Sequence, residues 1–163
     1  MTKTENDPDR ESFVRLSTSP AFTWWIKNVA ARLDPILFKA TNGRFTTFGP
    51  PAMPMVTITM LGRRSGRPRS VHLAALEHDG DHLVVASAMG QKRHPAWRYN
   101  LEANPEIRVQ AAGETFTARA EVLSDDEKAR VWQDVRAAIP QMSVYETRTD
   151  RNIRVFRLRR TDP

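Results

Sequence analysis

Val56-Thr57-Ile58-Thr59-Met60-Leu61 runs directly into Gly62-Arg63-Arg64-Ser65-Gly66-Arg67-Pro68-Arg69, and a second stretch of strand character opens near Ser70. Branched and apolar residues favour extended chain, and the glycines and proline that follow break it, so the segment reads as a hairpin. The pattern recurs down the chain. The strand over roughly 70–77 meets the turn Asp79-Gly80-Asp81 and continues into Leu83-Val84-Val85-Ala86. Ile107, Val109 and Ala111 alternate onto one face, and Phe116, Ala118, Ala120 and Val122 onto another, with Ala112-Gly113-Glu114 between them. Ile153 to Leu158 reads as a closing strand. Strands joined by tight turns pair antiparallel, whereas parallel pairs need long crossovers. The expectation is an α+β fold, an antiparallel barrel-like sheet with helices at its ends.

The helices have their own signals. Ser19 caps and Pro20 opens a segment in which Trp25, Val29 and Leu33, joined by Phe22, Ile26 and Ala30, form an apolar face. Asp34-Pro35 repeats the cap signature and predicts a restart over Ile36 to Ala40, stopped by Asn42-Gly43. Phe45 to Pro54 reads as a loop or short edge strand. Pro95 opens a helix carrying Trp97 and Leu101 that ends at Asn104-Pro105. Ser124 with Glu127 forms a capping box ahead of Ala129, Val131, Trp132, Val135, Ala138 and Ile139, and Pro140 ends that helix.

The chain has 163 residues, so one domain is expected, with residues 1–19 disordered and 20–163 forming the folded unit. Lys and Arg outnumber Asp and Glu by 25 to 19, a formal charge of +6 that favours anionic partners. There are no cysteines, which excludes disulfides, thiolate catalysis and Cys-based zinc sites. No apolar run approaches a membrane span, and Met1 to Ser12 carry no apolar core of a signal peptide, so a cytoplasmic location is expected. The adjacent Trp24-Trp25 on a basic amphipathic helix leaves a peripheral membrane contact as an alternative to packing on the domain itself.

Four arginines and two glycines within residues 62–69 mark the first candidate site. Guanidinium forks match phosphate and carboxylate oxygens, and glycine lets backbone N–H groups approach an anion closely. The alternative is a solvated basic turn. A second basic cluster, Ser87-Ala88-Met89-Gly90-Gln91-Lys92-Arg93-His94-Pro95-Ala96-Trp97, leads from a strand end into the start of a helix, where unpaired N–H groups attract anions. Together the two clusters suggest basic loops on one rim of a sheet holding one elongated anion, with Trp97 and Met89 offering apolar surface to a planar ring.

Other chemistries find little support. His72, His78, His82 and His94 do not have metal-site spacing, and His78 and His82 flank a turn where surface placement is expected, so no metal is expected. No nucleophile elbow occurs, and Gly62 to Gly66 is not followed by the Lys-Ser/Thr of a P-loop. The aromatics are not interleaved with the basic residues as a nucleic-acid stacking platform requires, so no nucleic-acid partner is expected.

The motif Leu61-Gly62-Arg63-Arg64-Ser65-Gly66-Arg67-Pro68-Arg69 is followed by Ser87 with Gly90, Pro95-Ala96-Trp97, Asn100-Leu101 and Asn104-Pro105, then Tyr145 and Thr149-Asp150-Arg151. In order and spacing, over roughly 100 residues, this resembles the deazaflavin-dependent nitroreductase family, small split β-barrel proteins of the FMN-binding type that use reduced coenzyme F420. The resemblance implies that Arg63, Arg64, Ser65 and Arg69 hold the phosphate and acidic tail of the coenzyme. It places the strand Ser70, Val71, His72, Leu73 and Ala74 beside the ring system, with Ala86, Ser87, Ala88, Ala96, Trp97 and Asn100 lining the deazaflavin. Ala88 stands where the best-known pattern has lysine, and His94 where asparagine is common. Tyr145 is the tyrosine retained from the family's substrate pocket, with Ile139 and Met142 at two other positions.

The implied activity is hydride transfer from reduced F420 to an electrophilic small molecule such as a quinone, a nitroaromatic or an activated alkene, with Tyr145 as the catalytic candidate. FMN is the alternative cofactor, and non-catalytic binding of fatty acids or anionic lipid the alternative function. Monomer and homodimer are both open.

Overall fold

A computed structural model of the chain describes residues 15, 17–41, 47 and 54–161. Six strands form a closed antiparallel barrel: β1 (Met55–Leu61), β2 (Pro68–His78), β3 (Asp81–Val85), β4 (Glu106–Ala111), β5 (Glu114–Val122) and β6 (Val155–Arg160). Their order around the barrel is β1-β2-β3-β6-β5-β4, with β4 returning to β1. Hairpins set three of the registers. Leu61 pairs with Pro68 across the arginine turn, His78 with Asp81, and Ala111 with Glu114. Closure comes from Val56 opposite Ala111, and β6 bridges β3 and β5 through Val84–Phe156 and Ala120–Leu158.

The alternation read in the sequence is the inside–outside alternation of this barrel. Val56, Ile58, Val84, Val109, Ala118 and Phe156 are among the buried residues of its interior. The intervening Leu83 and Val85 turn outward into a second buried cluster with Val131, Val135, Met142 and Tyr145. That second cluster lies beneath α4 (Asp125–Ala138) and α5 (Met142–Thr147). The Ser124 hydroxyl accepts from the Glu127 N–H while the Glu127 carboxylate accepts from the Ser124 N–H, closing the expected capping box at the start of α4. α3 (Ala96–Ala103) begins after Pro95 and buries Leu101 against the barrel.

Several expectations are corrected. β2 starts at Pro68, inside the segment read as turn, because its pairing with β1 continues to Leu61. Val122 is 42% exposed, since the end of β5 runs past the core. The closing strand is Val155–Arg160 and begins two residues later than expected. Ala129 is exposed on α4, and α5 has no counterpart in the sequence reading. His82 is half-buried and stacks on Phe116 at 6.0 Å between ring centres, so it is not a surface residue.

The N-terminal helices also differ. α1 (Pro20–Trp25) is capped by the Ser19 hydroxyl, then passes through a π turn (Ile26–Ala30) into α2 (Ala31–Ala40). No restart occurs at Asp34-Pro35. The wide turn just upstream loosens the coil ahead of the proline, so the helix carries on through it. Asp34 does not cap that helix; its Oδ1 accepts from the Thr47 N–H at 2.7 Å. Leu33, expected on the packed face, is 45% exposed. Much of the N-terminal segment read as disordered, the stop at Asn42-Gly43, and nearly all of Phe45 to Pro54 lie outside the described residues. Ser17 and Thr18 are buried, and Arg148 donates to the Thr18 carbonyl at 2.8 Å.

Candidate active site

Two cavities take residues from both β2 and α3, one at the β1–β2 turn and the other farther along β2. The first, about 400 Å³, is the basic one. Arg63, Arg64 and Ser65 reach it from the β1–β2 turn, Arg69 from the start of β2, and Ala96 and Asn100 from α3. The turn is held to α3 by the Arg63 N–H, which donates to Asn100 Oδ1 at 3.1 Å. The Arg63 guanidinium also lies over the Tyr99 ring, 4.8 Å from its centre, and Arg98 lies over the same ring at 4.8 Å. Gly62 is needed here, since a Cβ would sit 2.8 Å from Ser65 Oγ and 3.3 Å from the Arg67 carbonyl.

Charge pairing separates this turn from the arginines of β5 and β6. On the barrel wall Arg119 pairs with Glu106, Arg157 with Asp81 and Glu127, Arg159 with Glu121 and Arg160 with Glu114. Among the described residues Arg63, Arg64, Arg67 and Arg69 have no carboxylate within 4.0 Å, so the turn holds uncompensated positive charge.

The second cavity, about 530 Å³, is largely apolar. Its walls include His72, Leu73 and Ala74 of β2, Ser87 to Met89 after β3, Trp97 of α3, and Tyr145 of α5. Phe22, Ile26, Ala30 and Asp34, spaced four residues apart along the N-terminal helices, complete it. Trp97 is anchored by packing on Phe156, 5.7 Å between ring centres. Burial pushes the Tyr145 phenol above its ordinary range, with Arg148 opposing, so it remains a protonated donor at neutral pH. Burial lowers the His72 pKa against the attraction of Asp34, and Thr57 Oγ1 shares a hydrogen bond with its Nδ1 at 3.0 Å.

The loop that follows β3 and borders the apolar cavity has an unusual backbone. Ala88, Met89 and Gly90 have φ of 45°, 55° and 73°, a left-handed turn. Arg151 fixes it from below. Its guanidinium donates to the carbonyls of Gln91 at 2.8 Å, Ala86 at 2.9 Å and Ser87, and to His94 Nδ1 at 3.2 Å. Since arginine can only donate, His94 accepts through Nδ1 and carries its proton on Nε2. Burial, then Arg98 and Arg151, lower the His94 pKa, in keeping with a neutral ring at the edge of the basic cavity. Gly90 admits α5, because a Cβ there would meet the Tyr145 carbonyl and Arg148 Cβ at 2.8 Å.

Most of the site residues implied by the resemblance therefore border one cavity or the other. Three do not. Ser70 is exposed and shares a hydrogen bond with Thr59, Val71 packs on the barrel core, and Ala86 is buried there. Lys92 and Arg93 are exposed and border neither cavity, whereas their neighbour His94 does. Sequence reasoning missed Tyr99, Gln141 and the N-terminal wall residues. Tyr99 had a signal: it lies one position before Asn100 on the same short helix. Among the described residues no group of His, Asp and Glu is placed to hold a metal, and no helix is long and apolar enough to cross a membrane.

Residues 25–159 match the family model described as F420H(2)-dependent quinone reductase. The chain is 35% identical over 133 residues to an F420H(2)-dependent quinone reductase of Mycobacterium tuberculosis, covering 79% of this chain and 89% of that one. A solved F420H2-dependent reductase, FDR-A, superposes with a TM-score of 0.60 at 36% identity, over 64% of this chain and 93% of the other. A domain-swapped dimer superposes with a TM-score of 0.62 at 32% identity, over 86% and 99%. An F420-dependent oxidoreductase on a split β-barrel is thus the class that fold and comparisons define. The chain belongs to the F420H(2)-dependent quinone reductase family, and F420 rather than FMN is its cofactor.

Proposed function

We propose that the protein reduces quinone-like acceptors with F420H2, the acidic tail of the coenzyme lying in the basic cavity and its ring in the apolar one. The observation that carries this reading is the set of uncompensated guanidinium groups beside a cavity walled by Trp97, Met89 and Tyr145. Three arginines lining the cavity, with Arg67 on the same turn, suit a tail bearing several negative charges better than the single phosphate of FMN. Bound reduced F420 supplies a hydride to an electrophilic acceptor.

The chain's residues do the rest. Arg63, Arg64 and Arg69 neutralise the tail, with Ser65 and Asn100 beside them. Ser87 and Ala88, held by Arg151, present backbone to the ring, while His72, Leu73, Ala74, Ala96 and Trp97 shape its slot. Ser70, Val71 and Ala86 support that slot from the barrel wall. The Tyr145 phenol, kept protonated by burial, donates toward the acceptor or positions it. Closing the cavity with Phe22, Ile26 and Ala30 excludes water.

Titration with F420 and FMN in parallel, followed by a panel of quinones, nitroaromatics and activated alkenes, tests the reading. Tight F420 binding with quinone turnover is expected; binding of neither cofactor sinks it.

One observation favours a membrane contact as well. The helices that wall the cavity expose Trp24 (62%), Leu33 (45%) and Ile36 (65%) on their outer side, an apolar edge able to rest on a bilayer from which a lipophilic quinone enters. Co-sedimentation with phosphatidylglycerol vesicles should fall in Trp24→Ser/Ile36→Ser, and equal sedimentation removes the contact. A homodimer formed by segment exchange, as in the domain-swapped neighbour, is the proposed assembly, and light scattering reads it.

A further inference from the structure

Gln141 brings a buried polar group to the wall of the apolar cavity. It stands immediately ahead of α5, where its carbonyl accepts from the Val144 and Tyr145 N–H groups at 3.1 and 3.0 Å. Its backbone is thereby locked to the helix that carries Tyr145. The residue is only 8% exposed and borders the cavity. Among the described residues its Oε1 is buried without a hydrogen-bond partner. Phe22, Ile26, Met142 and Trp97 line the same cavity, and of these only the Trp97 indole N–H could answer an amide oxygen; among the described residues it makes no such bond.

An unpaired amide oxygen in apolar surroundings is costly to the fold, and leucine or methionine would fill the same space without that cost. We infer that Gln141 is a specificity-determining residue of the electron-acceptor site: its amide recognises an oxygen on the ring of the acceptor, placing it near Tyr145. The inference rests on the reductase reading above and adds the atom that reads the substrate. A primary amide suits this task because it both donates and accepts. Its NH2 donates to a quinone carbonyl, and after a half-turn of the amide its oxygen accepts from the hydroxyl that replaces that carbonyl on reduction. Tyr145, a phenol, would supply the second polar contact on the same wall.

The test compares 1,4-naphthoquinone with naphthalene, rings of the same outline with and without oxygens, by calorimetry on cofactor-free protein. Gln141→Leu should weaken naphthoquinone binding about tenfold while naphthalene binds at least as well as in wild type. With F420H2 present, KM for naphthoquinone should rise by a similar factor with little change in kcat or in the F420 dissociation constant. The melting temperature should not fall, since an unpaired buried amide oxygen is removed. Should leucine collapse the cavity, read as loss of naphthalene binding, Gln141→Met supplies the same side-chain length without the amide and should give the tenfold result.

Unchanged naphthoquinone affinity, an equal loss for both rings, or no binding of either ring by wild type overturns the assignment. F420 titration of the wild type is independent of these outcomes. Its failure removes the reductase reading, whereas its success beside an unchanged naphthoquinone affinity removes Gln141 alone.

Discussion

Arg64 shows how much a single side chain can reveal when its surroundings are considered. It is exposed, it borders the basic cavity, and no carboxylate lies within 4.0 Å of it among the described residues. Nothing in the fold depends on its charge, so Arg64→Glu should leave the melting temperature within about 2 °C of wild type. Toward a multiply charged tail the same change replaces an attraction by a repulsion. F420 affinity should fall at least about thirtyfold, the equivalent of roughly 2 kcal/mol for one charge-assisted hydrogen bond. Fluorescence titration with F420 measures it, and an affinity within threefold of wild type would remove Arg64 from the tail site. Tyr145 calls for the opposite pattern. Tyr145→Phe keeps the ring that fills the second core cluster and removes only the hydroxyl. Turnover should drop about tenfold or more with F420 affinity close to wild type; undiminished turnover leaves Tyr145 a packing residue.

At the level of elements, the loop after β3 depends on a residue sixty positions away. Arg151 bridges the carbonyls of Ala86, Ser87 and Gln91 and the ring of His94, and so holds the left-handed turn Ala88–Gly90 beside the apolar cavity. Lysine carries the charge but not the planar fork, so it can satisfy only part of this set. Arg151→Lys should cost about 2–3 kcal/mol and lower the melting temperature by roughly 5–10 °C. It should weaken F420 binding too, although Arg151 lines neither cavity. A variant as stable as wild type would show that the loop holds its shape unaided. The sequence carried the elements whose causes are local. The alternation of Ile107, Val109 and Ala111, the capping box of Ser124 and Glu127, and the helix start at Pro95 all depend on near neighbours, and all appear where expected. The Arg151 staple joins carbonyls, which carry no side-chain signal, between the neighbouring ends of β3 and β6. α5 is six residues long with no side-chain cap and forms against α4 and the Ala88–Gly90 turn. The continuous helix through Asp34-Pro35 likewise hid behind a local stop signal, overridden by the π turn before it.

For the whole molecule, two histidines tie stability to pH. His72 in the apolar cavity and His94 at the basic rim both have pKa values below the ordinary 6.5, each chiefly because burial disfavours the charged ring. In the unfolded chain both take up protons near pH 6.5, while in the folded chain they resist until lower pH. The unfolded state therefore binds more protons throughout the interval beneath 6.5, and stability falls as pH falls through it. Above about pH 7 both forms are neutral and these groups contribute no slope. Protonation of His94 would also remove the Nδ1 acceptor used by Arg151 and add a cation beside Arg98, so loss of loop order should accompany the loss of stability. Melting temperatures measured from pH 8 to pH 5 should be level at first, then decline by a few degrees below pH 6.5. His94→Asn keeps an acceptor and cannot titrate, so its decline should be shallower, and the remainder should track His72. A wild-type profile flat from pH 8 to 5, or a His94→Asn profile superimposable on it, would show that the rim histidine is not held neutral by the fold.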